Sequence, residues 1–381
     1  MNKKIDIDYA AVKSLPDLLC LLREKGVPEN LLWRYVDTYQ ERKAREKGIP
    51  LYGQFELTPL CNLDCKMCYV HLNKEQLGGA SVLSVEQWKD IMSQAHAMGM
   101  MHASLTGGEC LTYPGFDELY MFLRSLGVKI SIKTNGILLN DQQIAFFNKY
   151  PPRGITVSLY GSSNQAYQNV TGHAAFDAVY ASLLRLKKVE YPVSIAVTPS
   201  RYMYDDMEGI ISLVKQLDFP WSINVALFQP RKETGRELCD LSWFEYVEIL
   251  KKIRGNSSSS AIPVEETELP ECSKNGDPRF GITCGAGRSS FTVTWDAKMV
   301  ACDNLNSLRS SLLDKSFSVA WDEIHEDALS YPLPVECNRC PYDKVCFGCA
   351  AYRSNGMKLG HCNPKICERT RLLVKEGIYS M

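Results

Sequence analysis

From Tyr52 the chain settles into a strand-then-helix rhythm, which limits its possible folds more than any other feature. The strand segments are "LYGQFELT", "HASLTGGE", "VKISIKTNG", "GITVSLYG", "VSIAVTPS" and "WSINVALF". Between them stand helical patterns: one opening at Ser84, whose "SVEQ" is a capping box, then "FDELYMFLRSLG", "DQQIAFFNKY", "FDAVYASLLRLKK" and "DMEGIISLVKQL". Alternation of this kind builds a parallel sheet through right-handed crossovers. Six strands fall short of the eight that close a TIM barrel, so the expected fold is α/β, an open partial (β/α)6 TIM-like barrel. Two amphipathic stretches before it, broken at Gly26, Val27 and Pro28, read as a helical hairpin, and "WFEYVEILKKI" reads as a helix after it. "GNSSSSA", from Gly255 to Ala261, is a linker, and beyond it the rhythm gives way to cysteine. The expected organisation is N-terminal helices over 1–50, the barrel with its following helix over 51–254, a linker over 255–270 and a cysteine-rich domain over 271–381.

Fifteen cysteines in 381 residues need a reason. The start, "MNKKIDIDYAAVKSLPDLL", has no apolar core or cleavage site of a signal peptide, and no apolar run approaches the length of a bilayer. The chain therefore reads as cytoplasmic, with no membrane partner, and a disulfide framework does not suit it. A net charge of −1 with no basic half argues against nucleic acid. Cys20, Cys110 and Cys239 stand alone and read as buried small hydrophobes; the other twelve fall in two clusters.

The first cluster is "CNLDCKMCY", with Cys61, Cys65 and Cys68. Four thiolates would close a zinc tetrahedron or fill every corner of an iron–sulfur cube. Three leave a corner open, where chemistry can happen. The zinc reading lacks a fourth donor at suitable spacing: His71 is nearest, and its position suggests the surface of the next segment. The loop leaves the C-terminal end of the first strand, the rim on which parallel α/β folds build their sites. The next strands end in Gly107-Gly108-Glu109, in Asn135 and in Ser158, on that same rim.

This combination resembles the radical S-adenosylmethionine (radical SAM) superfamily over roughly Tyr52 to Phe228. The resemblance implies a four-iron cluster on Cys61, Cys65 and Cys68, whose open iron chelates S-adenosylmethionine. Gly107, Gly108 and Glu109 would hold its amino group, and Ser158 and Asn135 its carboxylate or ribose. The sequence departs from the family pattern at Met67, Cys110 and Tyr160.

The second cluster comprises Cys272, Cys284, Cys302, "CNRCPYDKVCFGC" from Cys337 to Cys349, and Cys362 and Cys367. "FTVTWDAKMVAC" within it reads as a hairpin turning at Asp296. Alone, Cys337, Cys340, Cys346 and Cys349 would pass for a zinc site. After a radical SAM core the region is similar to a SPASM domain, which carries up to two auxiliary four-iron clusters. Mapped by order, Cys284, Cys302 and Cys349 serve one, with Cys272, Cys362 or a substrate atom as its fourth ligand. Cys337, Cys340, Cys346 and Cys367 serve the other. Asp303, directly after Cys302, sits where a sulfatase-maturing relative carries its base; a surface aspartate is the plain alternative. Ala297 stands where the pattern has glycine.

The resemblance implies an enzyme that forms a 5′-deoxyadenosyl radical and takes hydrogen from a peptide or protein substrate, a ribosomal peptide maturase. It also implies a reducing partner such as flavodoxin or ferredoxin. The alternatives are a radical dehydrogenase or epimerase of sugars or other metabolites, and a non-catalytic iron–sulfur or zinc protein.

Overall fold

The computed structural model describes residues 6–73, 75–224, 240–255, 280–305, 307–334, 337, 340–342, 345–346, 349–351 and 363–378. Cys239, Cys272 and Cys362 lie outside these residues, as does most of the "GNSSSSA" segment. The six anticipated parallel strands are β1 (Tyr52–Glu56), β2 (His102–Thr106), β3 (Lys129–Thr134), β4 (Gly154–Ser158), β5 (Val193–Val197) and β6 (Trp221–Ile223). They pair in sequence order, all parallel, and the sheet does not stop at β1. β7 (Ser290–Val293) adds to the free edge of β1, again parallel, with Tyr52 opposite Ser290 and Phe55 opposite Val293. β8 (Lys298–Val300) and β9 (Arg309–Ser311) continue antiparallel, so one nine-stranded sheet spans both cysteine clusters.

The helices over the barrel are α3 (Val85–Ala97), α4 (Phe116–Ser125), α5 (Asp141–Lys149), α6 (Asn164–Thr171), α7 (Phe176–Leu186), α8 (Met207–Leu217) and α9 (Trp243–Gly255). The capping box of α3 is formed by Ser84 and Gln87 as expected. α6 was not expected from the periodicity; it is eight residues, held by an N-cap at Ser163 and a left-handed Gly172. Two more helices follow in the cysteine-rich region, α10 (Phe317–Ser330) and α11 (Pro364–Lys375), where the sequence suggested loss of regular structure. Their presence follows from tertiary burial: Phe317, Trp321 and Ile324 of α10 are all about fully buried.

The strands place apolar residues outward, under the helices, and polar residues inward. Phe55, Leu105, Ile132, Val157 and Ile195 are buried completely or nearly so, whereas Gln54, Ser104, Ser131, Thr156 and Ser194 are half-buried on the facing side. The lumen of the barrel is therefore polar, and the hydrophobic seal is outside it. At the seam, Phe291 of β7 packs edge-on against Phe55 at 5.9 Å, Phe317 at 5.0 Å and Trp321 at 6.1 Å. One ring thus ties the barrel wall to α10.

The N-terminal hairpin, α1 (Leu15–Glu24) and α2 (Leu32–Lys47), closes the lower mouth. Asp37 of α2 is buried and accepts from Lys129 Nζ at 3.0 Å and Arg153 Nη2 at 2.5 Å. Arg153 Nη1 lies 2.6 Å from His102 Nδ1, and the Tyr52 ring stacks on His102. A guanidinium only donates, so Nδ1 accepts and His102 is neutral. Burial, and then the Arg153 charge, pull its pKa down to about 4. The isolated Cys20, expected to be buried, is exposed on α1 and contacts Glu24.

Two outcomes follow from this packing. Phe291→Ala removes the ring that joins wall and helix and should lower unfolding free energy by about 3–5 kcal/mol in urea titration. His102 binds fewer protons folded than unfolded, so its contribution is complete above pH 6.5 and is lost as pH falls from there through about 4. Between pH 7 and 4 the wild type should lose on the order of 3 kcal/mol more than His102→Gln; equal losses would refute the assignment.

Candidate functional site

The cysteine loop starts where β1 ends and is fastened on three sides. Leu57 N donates to Thr106 O, extending the β1–β2 ladder by one step. Asp64 N and Lys66 N donate to Thr171 O and Val170 O, the last turn of α6. Leu72 N returns to Pro59 O and closes the loop. His71, expected at the surface, is buried inside it, with Nδ1 3.3 Å from Pro59 O and Nε2 3.4 Å from Asp64 Oδ1.

Gly107 and Gly108 let this loop approach β2. Gly107 has φ +142°, and a Cβ there would stand 2.5 Å from Thr58 O; at Gly108 it would stand 2.3 Å from Leu60 O. The backbone hydrogen bonds from Gly108 N to Thr58 O (2.7 Å) and from Glu109 N to Leu60 O (2.9 Å) need that closeness. The carboxylate that the sequence offers to a cation is turned inward. Glu109 is 1% exposed, and accepts from Asn135 N (2.7 Å), Thr134 Oγ1 (2.8 Å) and Leu111 N (3.2 Å). Burial raises its pKa. Asn135 in turn donates through Nδ2 to Asn62 Oδ1 (2.7 Å) and Cys61 Sγ (3.6 Å), so Glu109 fixes Asn135 and Asn135 fixes the loop. Cys110 is fully buried, with Sγ 3.4 Å from Lys133 O, as expected of an isolated small hydrophobe.

The three thiols are neighbours: the charge of Cys68 bears on Cys61, and those of Cys68 and Cys61 bear on Cys65. Sulfur of Cys61 accepts from Leu63 N at 3.4 Å, and sulfur of Cys68 from His71 N at 3.1 Å. Burial, with lesser contributions from Glu109 and Cys68, pushes Cys61 up to about 12, and burial with the charges of Cys68 and Cys61 pushes Cys65 well up. Three neighbouring thiolates, one buried and two half-buried, are stable only with positive charge among them. N–H donors aimed at sulfur and a need for a cation are what an iron–sulfur cluster satisfies, so the donor set fits one. Tyr160 reaches both Cys65 and Ser158 with its hydroxyl, a contact the sequence did not suggest. Ser158 itself ends β4 on the same rim.

In the second field, Cys284, Cys302 and Cys349 lie near one another. Burial, and then the charges of Asp303, Cys349 and Cys284, push Cys302 up to about 12. Cys302 Sγ accepts from Asn304 N at 3.3 Å. Cys337 and Cys340 share a turn, Cys340 N donating to Cys337 O at 3.2 Å. Cys346 Sγ accepts from Thr370 Oγ1 at 3.6 Å, which brings it to α11, the helix of Cys367. Among the described residues, no three His, Cys, Asp or Glu side chains converge closely enough to hold a single metal ion.

Asp303 is no surface aspartate. It lines a cavity of about 260 Å³ in the lumen, beside Gln54, Ser104, Thr292 and Asn304. It accepts from Thr292 Oγ1 (2.6 Å), Tyr69 OH (3.4 Å) and Gln54 Nε2. Tyr69 stands between the two fields: burial raises its pKa, followed by the charges of Asp303, Glu56, Cys68 and Cys302. Gln54, Tyr69 and Thr292 carried no motif; their only sequence signal is a polar residue on the inward phase of a strand or next to a cysteine.

Residues 55–214 match the family model described as "Radical SAM superfamily". The chain is 25% identical over 320 residues to the AdoMet-dependent heme synthase of Methanosarcina barkeri, covering 78% of this chain and 90% of that one. It is 27% identical over 363 residues to the antilisterial bacteriocin subtilosin biosynthesis protein AlbA of Bacillus subtilis (87% and 74%). Identity to the sporulation killing factor maturation protein SkfB, also of Bacillus subtilis, is 22% over 293 residues (77% and 68%). Among solved structures, anSMEcpe with bound AdoMet superposes with a TM-score of 0.66 at 18% identity, over 86% of this chain and 97% of that one. Streptococcus suis SuiB bound to precursor peptide SuiA gives 0.63 at 16%, over 97% and 84%.

Gly108→Ala drives a methyl into Leu60 O, a backbone atom that cannot swing away. It should destabilise the protein by more than about 2 kcal/mol and lower iron loading after anaerobic reconstitution. Loading equal to wild type would show that the loop tolerates the displacement.

Proposed function

We propose that this chain, whose residues 55–214 are a radical SAM domain, matures a ribosomally made peptide by hydrogen abstraction. The observation that carries the reading is the rim itself: three neighbouring thiols on a loop clamped by Gly107 and Gly108, facing a polar lumen that holds Asp303. The relatives whose names concern a bacteriocin and a killing factor, and the fold shared with SuiB, support a peptide substrate.

Cys61, Cys65 and Cys68 would bind three irons of a four-iron cluster. S-adenosylmethionine, held beside that cluster and given an electron, would supply the radical chemistry that takes a hydrogen atom from the substrate. Gly107 and Gly108 would border its amino group, with Glu109 behind them fixing Asn135, and Asn135 and Ser158 would meet carboxylate or ribose. Cys284, Cys302 and Cys349 would hold one auxiliary cluster, with Cys272 or Cys362 as candidates for a fourth ligand. Cys337, Cys340, Cys346 and Cys367 would hold another. In an oxidative outcome an auxiliary cluster would supply the acceptor for one further electron from the substrate, and Asp303 would take the proton. The electron for the first step would come from a small reductant such as flavodoxin or ferredoxin, in the cytoplasm; no described helix is long and apolar enough to cross a membrane.

The heme synthase relative supports a second reading, a small-molecule substrate. One experiment separates these readings. Protein reconstituted anaerobically should hold roughly 12 irons, falling to roughly 8 in Cys61/Cys65/Cys68→Ala. The variant should form no 5′-deoxyadenosine from S-adenosylmethionine and dithionite. Deuterated trial peptides, drawn from small reading frames near the gene, should pass deuterium into 5′-deoxyadenosine. Transfer from a porphyrin or sugar instead would establish the second reading, and zinc in place of iron would end both.

A further inference from the structure

Asp303 is held by a strut that crosses the lumen. Lys133 points inward from β3 and Gln54 from β1, with β2 between them. Lys133 Nζ donates to Gln54 Oε1 at 2.5 Å, and Gln54 Nε2 donates to Asp303 Oδ2. The other contacts of Asp303 are Thr292 Oγ1 on Oδ1 and Tyr69 OH on Oδ2.

The two ends of a glutamine amide have the same shape and opposite polarity. An ammonium can only donate and an ionised carboxylate can only accept. Between Lys133 and Asp303 the Gln54 amide therefore has one satisfactory orientation. Flipped, it would set NH₂ against ammonium and C=O against carboxylate, two repulsions in place of two hydrogen bonds. The charge on Lys133 thus selects which atom Asp303 meets. The cavity of about 260 Å³ explains why selection matters: it adjoins Asp303 and is lined also by Tyr52, His102 and Ser104 at the lower end. Without a donor at Gln54, the carboxylate has open polar space to turn into, away from Tyr69 and the rim.

We propose that Lys133 and Gln54 are positioning residues for Asp303: Lys133 orients the Gln54 amide, and the amide holds the carboxylate at the level of Tyr69. The proposal rests on the reading that Asp303 receives the substrate proton, and extends it to two residues that no motif marks. Neither needs to touch substrate or cofactor. Small displacements of a proton acceptor are costly in rate, about 100-fold for an ångström.

The test compares Gln54→Leu, Lys133→Met and Lys133→Arg in the anaerobically reconstituted enzyme, with iron content confirming that each variant is folded. Crystal structures should show the Asp303 carboxylate turned into the cavity in Gln54→Leu and Lys133→Met, and in place in Lys133→Arg. With a peptide that is turned over, product per 5′-deoxyadenosine should fall about 10–100-fold in the first two and recover in the arginine variant. An Asp303 that stays in place in both disrupting variants overturns the proposal. So does loss of 5′-deoxyadenosine in step with product, which would put Lys133 in the radical-forming half of the reaction. Normal product per 5′-deoxyadenosine in Asp303→Asn would instead refute the role of Asp303, while the crystallographic comparison still decides the strut.

Discussion

The pairing of β1 with strands on both sides is the constraint on which the rest depends. On one edge Tyr52–Glu56 is laddered to β2, whose Gly107 and Gly108 clamp the first cysteine loop. On the other it is laddered to β7, which leads through β8 to Cys302 and Asp303. The strand itself sends Phe55 outward into the aromatic seam and Gln54 inward to Asp303. Parallel pairing with evenly spaced hydrogen bonds leaves little freedom in register, because a slip of one residue would exchange Phe55 for Gln54. The two cysteine fields are neighbours because one strand stands between them.

The electrostatics of the rim follow from that geometry. Cys61, Cys65, Glu109 and, beyond Tyr69, Asp303 and Cys302 gather groups that carry negative charge when ionised at one end of the lumen. Backbone donors answer part of this charge, at Leu63, His71, Asn135 and Asn304. The remainder calls for metal. The lower mouth brings cations inward, with Lys129 and Arg153 both paired to the carboxylate of Asp37. The polarity of the lumen therefore runs from cationic at the base to thiol-rich at the rim.

Much of the barrel was legible because parallel β/α units write their pattern locally. Apolar strands, a capping box at Ser84 and polar strand ends each need only a short window. The pairing of β7 with β1 was not legible: "FTVTWDAKMVAC" shows its antiparallel partner nearby, while the partner on its other side is far along the chain and leaves no period. Helix α6 escaped because it is only eight residues long and set by its caps, whereas α10 carries an apolar stripe at helical spacing, Phe317, Ala320, Trp321, Ile324 and Ala328, that the cysteine-rich surroundings obscured. At the site, cysteines and glycines announce themselves by spacing. Gln54, Lys133 and Thr292 do not, since inward polar residues look the same whether they fill a wall or aim a carboxylate. His71 shows the limit most simply, as its burial is decided by the closing of the loop upon Pro59.

The ladder between β1 and β7 has a consequence for how the polypeptide holds together. Residues 1–255 contain β1 with an open edge, and residues 280–381 contain β7, whose ring at Phe291 fits between Phe55 and Trp321. The chain joins these pieces through residues 256–279. Were the chain cut there, the pieces would behave toward each other as subunits of a heterodimer, each supplying an edge strand and half of an aromatic core. Separated, each would carry a bare sheet edge, the form in which proteins are most prone to aggregate.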